Sequence, residues 1–162
     1  MKFVWFPAPF VFNFFDWYYA NSMNVLDDPE MLAGLAEEMK TLESQLAPVV
    51  AELKKNNSQP ELFEKFGQII DRIYGTAATF GLKELASYCG TLKKICYECA
   101  KLKSPNANAR VLRLLEAYLQ NLANLIKGIT DPVVAKQINH AMHLEEQKAK
   151  KIEEEIFKYV KK

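Results

Sequence analysis

Residues 60–81 read PELFEKFGQIIDRIYGTAATFG, and the spacing of the apolar residues in this stretch decides the fold class. They recur every three or four positions, at Leu62, Phe66, Ile69, Ile73, Ala77 and Phe80. This spacing predicts an α-helix with one buried face. The polar run at 56–60 is typical of a loop before the helix, and Gly81 is a residue type that commonly ends one.

Three further segments show the same spacing. The first predicts a helix from about Pro29 to Lys55, with Asp28 as its N-cap. The third runs from Leu82 to Leu102, and the fourth from Val111 to Ile129. Four single-faced helices joined by short polar loops can bury their apolar faces only against one another. The sequence therefore predicts an all-α fold, an antiparallel up-and-down four-helix bundle.

An additional C-terminal helix is predicted from Pro132 to about Tyr159. Its first half carries an apolar face, whereas the run Glu145-Glu146-Gln147-Lys148 interrupts that face before it resumes at Ile152. We therefore expect the first half to dock on the bundle and the second half to project from it.

Composition excludes several classes of function. The 162 residues carry a formal net charge of +1, which lacks the electrostatic footprint of a dedicated nucleic-acid binder. Six glycines and the absence of a glycine-rich motif speak against nucleotide chemistry, and we expect no cofactor. The three cysteines, Cys89, Cys96 and Cys99, are too few and too local for a disulfide framework, so we expect a cytoplasmic protein.

The N-terminal segment differs from the rest of the chain. Ten of the nineteen aromatic residues lie in the first twenty positions. Pro7, Pro9 and Asp16 make it a poor membrane span and a poor secretory signal. Three interpretations remain: an interfacial membrane anchor, a partner-binding tail, or translated upstream sequence before a start at Met23. We accordingly divide the chain into an extension (1–22), a bundle (23–130) and a C-terminal helix (131–162).

The second helix and its exit also carry a motif. Residues 71–81 read DRIYGTAATFG, with Leu85 and Cys89 following. This resembles the histidine-containing phosphotransfer (HPt) domain, whose motif is His-x-Leu-Lys-Gly, a second Gly after five more residues, an apolar residue four further on and often a Cys. The resemblance covers about residues 28 to 130. It implies a four-helix bundle of two-component signalling, in agreement with the periodicity.

Two departures from the motif bear on function. Asp71 stands where the family has the phosphorylated His, and Tyr74 stands where it has the Lys that helps to hold the phosphoryl group. Neutral imidazole is a good nucleophile near pH 7, whereas a carboxylate without a nearby cation has nothing to offset the developing negative charge. We therefore expect no phosphotransfer and no enzymatic activity. Asp71 can still imitate part of the negative charge of a phosphohistidine.

The surface around the motif is retained. In the family, the small residues near the Gly75 position allow a response-regulator receiver domain to approach closely. The resemblance therefore implies a pseudo-HPt that binds a receiver or a histidine kinase through the outer face of the second helix. The predicted partner-binding residues are Glu64, Gln68, Asp71, Arg72, Tyr74, Gly75 and Thr79.

Two alternatives use other parts of the chain. A bundle outside phosphorelay signalling would use the fifth helix for assembly or residues 1–22 for membrane attachment. An active phosphotransfer protein would use His140 or His143, which lie three residues apart on the fifth helix.

The remaining reactive or charged groups have simpler interpretations. Cys96 and Cys99 form half of a zinc-site pattern without a second pair, so we expect no metal site and interpret the three cysteines as small buried hydrophobes. We expect the basic residues of the third and fourth helices to form a solvated edge: Lys93, Lys94, Lys101, Lys103, Arg110 and Arg113.

Overall fold

The computed structural model describes residues 28–129 and 131–158, and this part of the chain is helical apart from short turns. The helices are α1 (Pro29–Lys55), α2 (Pro60–Thr79), α3 (Lys83–Leu102), α4 (Pro105–Gly128) and α5 (Pro132–Lys158). The predicted bounds of the first helix are confirmed. Residues 1–22, together with the three interpretations given for them, lie outside the described part, and the division at 23–130 and 131–162 stays a prediction.

Local sequence signals set the helix ends. The Asp28 carboxylate accepts a hydrogen bond from the backbone N–H of Glu30 at 2.9 Å, as an N-cap does. The Ser104 hydroxyl accepts one from the N–H of Ala107 at the start of α4. Gly81 has a φ of +74°, a left-handed conformation that favours glycine and that turns the chain from α2 into α3.

The first four helices form a closed square. Each of α1, α2, α3 and α4 packs against the next, and α4 packs back against α1. Side-chain pairs such as Thr76 with Glu38 and Cys99 with Asn108 show that sequential helices run antiparallel. The predicted up-and-down bundle with an additional C-terminal helix is confirmed.

The centre of the bundle is aromatic and aliphatic. Tyr118 lies edge-on to Phe66 and to Tyr88, with ring centroids 6.3 Å and 5.3 Å apart. The Cys89 sulfur lies 3.2 Å from the Tyr118 hydroxyl. These contacts join α2, α3 and α4, and they hold α2 with its opposite face turned outward.

Helix α5 packs on α3 and α4. Met142, Ala149 and Ile156 are buried along its length, and Glu153 forms an ion pair with Lys94 of α3. The prediction that its second half projects from the bundle is therefore wrong. The charged run 145–148 does not interrupt the contact, because Glu146 is itself buried with polar partners on α3.

Candidate functional site

The outer face of α2 is open to solvent. In the described part of the chain, α1 and α3 flank this helix, while α5 lies on α3 and α4 and makes no contact with α2. The residues predicted to form the partner-binding face are all exposed: Glu64, Gln68, Asp71, Arg72, Tyr74, Gly75 and Thr79. Their exposure leaves the face accessible, and their role in binding stays a prediction.

The carboxylate of Asp71 is paired with a lysine of the neighbouring helix. Lys93 Nζ on α3 donates a hydrogen bond to Asp71 Oδ1 at 2.5 Å. The Asp71 side chain is 48% exposed and the Lys93 side chain is 37% exposed, so solvent and a partner can reach both. The hydrogen bond with Asp71 raises the pKa of the Lys93 ammonium above its ordinary value.

Ion pairs between helices bear on two expectations from the sequence. The interpretation that no cation offsets the charge at position 71 is wrong, because Lys93 supplies one from α3. The basic residues Lys93, Lys94 and Arg110 are accessible to solvent, as the sequence interpretation expected, and they also pair with Asp71, Glu153 and Glu155 of other helices. Charged side chains on α3 and α4 connect helices there.

The register of the α2–α3 hairpin explains which residues meet. Asp71 lies eleven residues before Leu82, and Lys93 lies eleven after it. Tyr74 and Gly90 are each eight residues from Leu82, and a Cβ added at Gly90 would lie 4.0 Å from the Tyr74 ring. Symmetry about the turn was thus a signal in the sequence that identifies Lys93 as the neighbour of Asp71.

A groove lies beside the ion pair, between α2 and α3. Its volume is about 480 Å³, and its lining consists of Tyr74, Gly90, Lys93, Lys94, Tyr97 and Glu98. Tyr74 is 43% exposed and covers the α3 backbone at Gly90. The predicted site named only Tyr74 among these residues, so the α3 side of the surface was missed.

On its other flank, α2 is tied to α1 by two hydrogen bonds, each between a charged and a neutral side chain. Arg72 Nη1 donates to Gln45 Oε1 at 3.2 Å, and Thr76 Oγ1 donates to Glu38 Oε1 at 2.9 Å. The Arg72 guanidinium is therefore drawn toward α1, on the side of α2 away from Lys93.

Gly75 lies on the exposed face between these two flanks. A Cβ built at this position meets no atom within 4 Å, so packing within the bundle does not require a glycine here. Glycine in the middle of a helix costs about 1 kcal/mol relative to alanine. The absence of a side chain leaves the α2 backbone open to a close approach from outside.

The buried thiols do not contribute to the exposed face. Cys89, Cys96 and Cys99 are buried, as the sequence interpretation expected. Burial raises the pKa of Cys89 and of Cys99 to about 12 and also raises that of Cys96, so all three remain protonated at neutral pH. Residues 28–129 and 131–158 contain no group of three side chains arranged to hold a metal ion.

The two histidines lie away from α2. His140 and His143 are exposed on α5, and α5 does not contact α2 in the described structure. The Nδ1 atom of His143 is 4.0 Å from a carboxylate oxygen of Glu146. Neither imidazole lies where the motif places its phosphorylated His.

Glu146 anchors α5 to α3. Its carboxylate accepts a hydrogen bond from Ser87 Oγ at 2.6 Å and pairs with Lys150 Nζ at 2.7 Å. Burial would raise the pKa of this carboxyl, but the hydrogen bonds from Lys150 and Ser87 outweigh burial and hold the pKa below its usual value. Glu146 is thus ionised at neutral pH and serves a structural role.

None of the described helices is long and apolar enough to cross a membrane. Comparison with known families gives one match: the model described as "Hpt domain" covers residues 29–125. No curated protein and no solved structure matches the chain. The match covers more than half of the chain, includes the whole α2–α3 hairpin, and agrees with the bundle and with the motif at 71–81. The chain belongs to the HPt domain family, whose members are phosphotransfer modules of two-component phosphorelays.

Proposed function

We propose that this protein is a pseudo-HPt, which binds the receiver domain of a response regulator through the outer face of α2 without transferring a phosphoryl group. One observation carries the proposal. The exposed frame around Gly75 is retained, although the phosphorylated His of the family is replaced by Asp71.

The chemistry at position 71 supports the absence of transfer. A phosphorelay requires a nucleophile whose phosphorylated form passes the group onward reversibly, and neutral imidazole meets this need near pH 7. Asp71 offers a carboxylate, and its Oδ1 atom already accepts a hydrogen bond from Lys93. Because Lys93 offsets the charge of this carboxylate, the case against transfer rests on the missing imidazole.

The open surface supports docking. Polar and small side chains on α2 are flanked by Tyr74, and tyrosine is one of the residue types enriched at binding hot spots. Internal packing does not require a glycine at position 75, and the absence of a side chain there leaves the α2 backbone accessible to a partner. A receiver that packs against α2 would bury Gly75 and the Asp71–Lys93 pair together.

The structure bears on the two alternatives that use α5. The apolar face of α5, which suggested assembly, is buried against α3 and α4 at Met142, Ala149 and Ile156, and Val133 and Leu144 of the same helix remain exposed. His140 and His143, which suggested an active phosphotransfer protein, lie on a helix that does not touch α2. Membrane attachment through residues 1–22 concerns a segment outside the described part of the chain.

The proposal is tested by measuring binding of the full chain to the purified receiver domains of the same organism by calorimetry. We expect at least one receiver to bind, and Gly75→Arg to abolish that binding by placing a long cation on the α2 face. Asn124→Arg is the matched control: it adds the same charge to an exposed position of α4, the helix diagonally opposite α2 in the bundle.

Circular dichroism verifies that both variants keep the helical fold. Equal affinity of wild type and Gly75→Arg would exclude the α2 face as the binding surface. Failure of every receiver to bind would exclude the receiver as partner, and binding of a histidine kinase in its place would assign the partner to that class.

A further inference from the structure

The Asp71–Lys93 pair points to the state of the receiver that this surface fits. We propose that Lys93 cancels the charge of Asp71, so that the site lacks the negative charge of a phosphorylated HPt domain and the protein binds the phosphorylated form of its receiver. This inference rests on the proposed function, and it reverses the expectation that Asp71 imitates a phosphohistidine.

The ion pair is balanced locally. Asp71 and Lys93 are joined at 2.5 Å, and both remain accessible from outside. The other charged residues that line the neighbouring groove have partners of their own: Lys94 pairs with Glu153, and Glu98 pairs with Lys101 at 3.1 Å. The carboxylate at position 71 therefore does not face a partner as an isolated negative charge.

The charge at this position distinguishes the two states of a true HPt domain. The imidazole of histidine has a reference pKa of about 6.5, so it is largely neutral at pH 7.5. A phosphoryl group adds a charge of about −1.5 to −2. The motif's Lys adds one positive charge to both states, so the family's site carries about +1 without the phosphoryl group and about −0.5 to −1 with it. The Asp71–Lys93 pair carries zero, whereas Asp71 without Lys93 would carry −1, close to the charge of the phosphorylated state.

An unphosphorylated HPt domain is the form that can accept a phosphoryl group from a phosphorylated receiver. In such a complex the receiver's phosphoryl group faces the position of Asp71. An unpaired carboxylate there would repel it, whereas the adjacent Lys93 ammonium offsets the repulsion. Lys93 is thus inferred to determine which receiver state is bound.

The experiment compares the affinities of charge variants for one receiver in two forms, unmodified and carrying beryllofluoride, which imitates the phosphoryl group. We expect wild type to prefer the beryllofluoride form. Lys93→Met, which leaves the carboxylate unpaired, is expected to weaken binding of that form by about tenfold, with a smaller effect on the unmodified receiver. Asp71→Asn is expected to strengthen it.

Two further variants control for loss of contact and of overall charge. The double variant Asp71→Asn with Lys93→Met is again neutral and is expected to recover most of the lost affinity. Lys40→Met removes one positive charge from an exposed position of α1 and is expected to leave both affinities unchanged. Raising the salt concentration is expected to reduce the difference between wild type and Lys93→Met.

A measurement without a receiver tests the pair itself. NMR titration of the lysine side chains is expected to give a lower pKa for Lys93 in Asp71→Asn than in wild type, because the variant lacks the negative charge. An unchanged pKa would overturn the inference.

The failures of the two proposals are distinguishable. Receiver binding that is equal for both forms, or that is unaffected by Lys93→Met, would overturn this inference and leave the proposed function standing. A chain that binds no receiver would remove both.

Discussion

Two of the protein's carboxylate–lysine pairs lie in opposite surroundings. Asp71 of α2 and Lys93 of α3 form a pair whose side chains are both accessible. Glu146 pairs with Lys150 and lies on the buried face of α5, where its side chain is only 3% exposed. Glu146 also accepts a hydrogen bond from Ser87 of α3. The difference follows from the position of α5, which covers α3 and α4 and leaves α2 uncovered.

The comparison separates a structural pair from one that is available to a partner. A buried carboxylate must be fully hydrogen-bonded, and removing one of its partners is costly. An exposed pair contributes little to stability, because water solvates both groups when they separate. Changes beneath α5 should therefore affect folding, and changes on the α2 face should affect binding.

The largest expected effect on stability is that of a charge placed on the buried face of α5. Met142 is fully buried there, so Met142→Asp should lower the free energy of unfolding by about 3 kcal/mol or more. Gln68→Glu introduces a carboxylate on the exposed α2 face and should change it by less than about 0.5 kcal/mol. Urea denaturation measures both, and equal effects would refute the contrast between the two faces.

A smaller effect, with a defined pH dependence, is expected at Glu146. Because its pKa in the folded state is lowered, its ionised form stabilises the protein above the ordinary glutamate pKa of about 4.3, and this contribution is lost as the pH falls through the lowered value. Glu146→Gln should cost about 1 to 2 kcal/mol at pH 7, because the charged hydrogen bonds are lost.

The difference in stability between Glu146→Gln and wild type should narrow on acidification below about pH 4. Thermal unfolding at pH 7 and at pH 3.5 measures this change. A difference that is the same at both pH values would show that the Glu146 carboxylate does not stabilise the docked α5.

The smallest effect on stability is expected at Gly75, and it has the opposite sign. Gly75→Ala should stabilise the protein by about 0.5 to 1 kcal/mol, because alanine is the better helix former and its Cβ meets no atom within 4 Å. The same methyl group should weaken receiver binding. A destabilised Gly75→Ala variant would indicate an internal packing role for the glycine.

The sequence was sufficient for the fold because each of the four bundle helices has an uninterrupted apolar face, and residues such as Asp28 and Gly81 give clear end signals. It was misleading for α5, because the charged run 145–148 was interpreted as solvated, whereas hydrogen bonds from Ser87 and Lys150 satisfy Glu146 within the contact. A polar residue can lie in a helix contact when its partners come from another element, and periodicity alone does not detect this.

The candidate site was predicted only on one side. The motif identifies α2, where Asp71 and Tyr74 replace the family's His and Lys and Gly75 retains its Gly. Lys93 and Gly90 lie on α3, and they join the surface only through the antiparallel register about Leu82. A local motif cannot supply contacts between residues 16 and 22 positions apart, whereas hairpin symmetry would have predicted them.

The central claim is that this surface binds a receiver without accepting its phosphoryl group. The most direct test incubates the full chain with a radiophosphorylated receiver that it binds and follows the label on both proteins. We predict a complex in which all label stays on the receiver or is released as inorganic phosphate. Radiophosphate on this chain that disappears in Asp71→Asn, in His140→Ala or in His143→Ala would contradict the account and identify the acceptor.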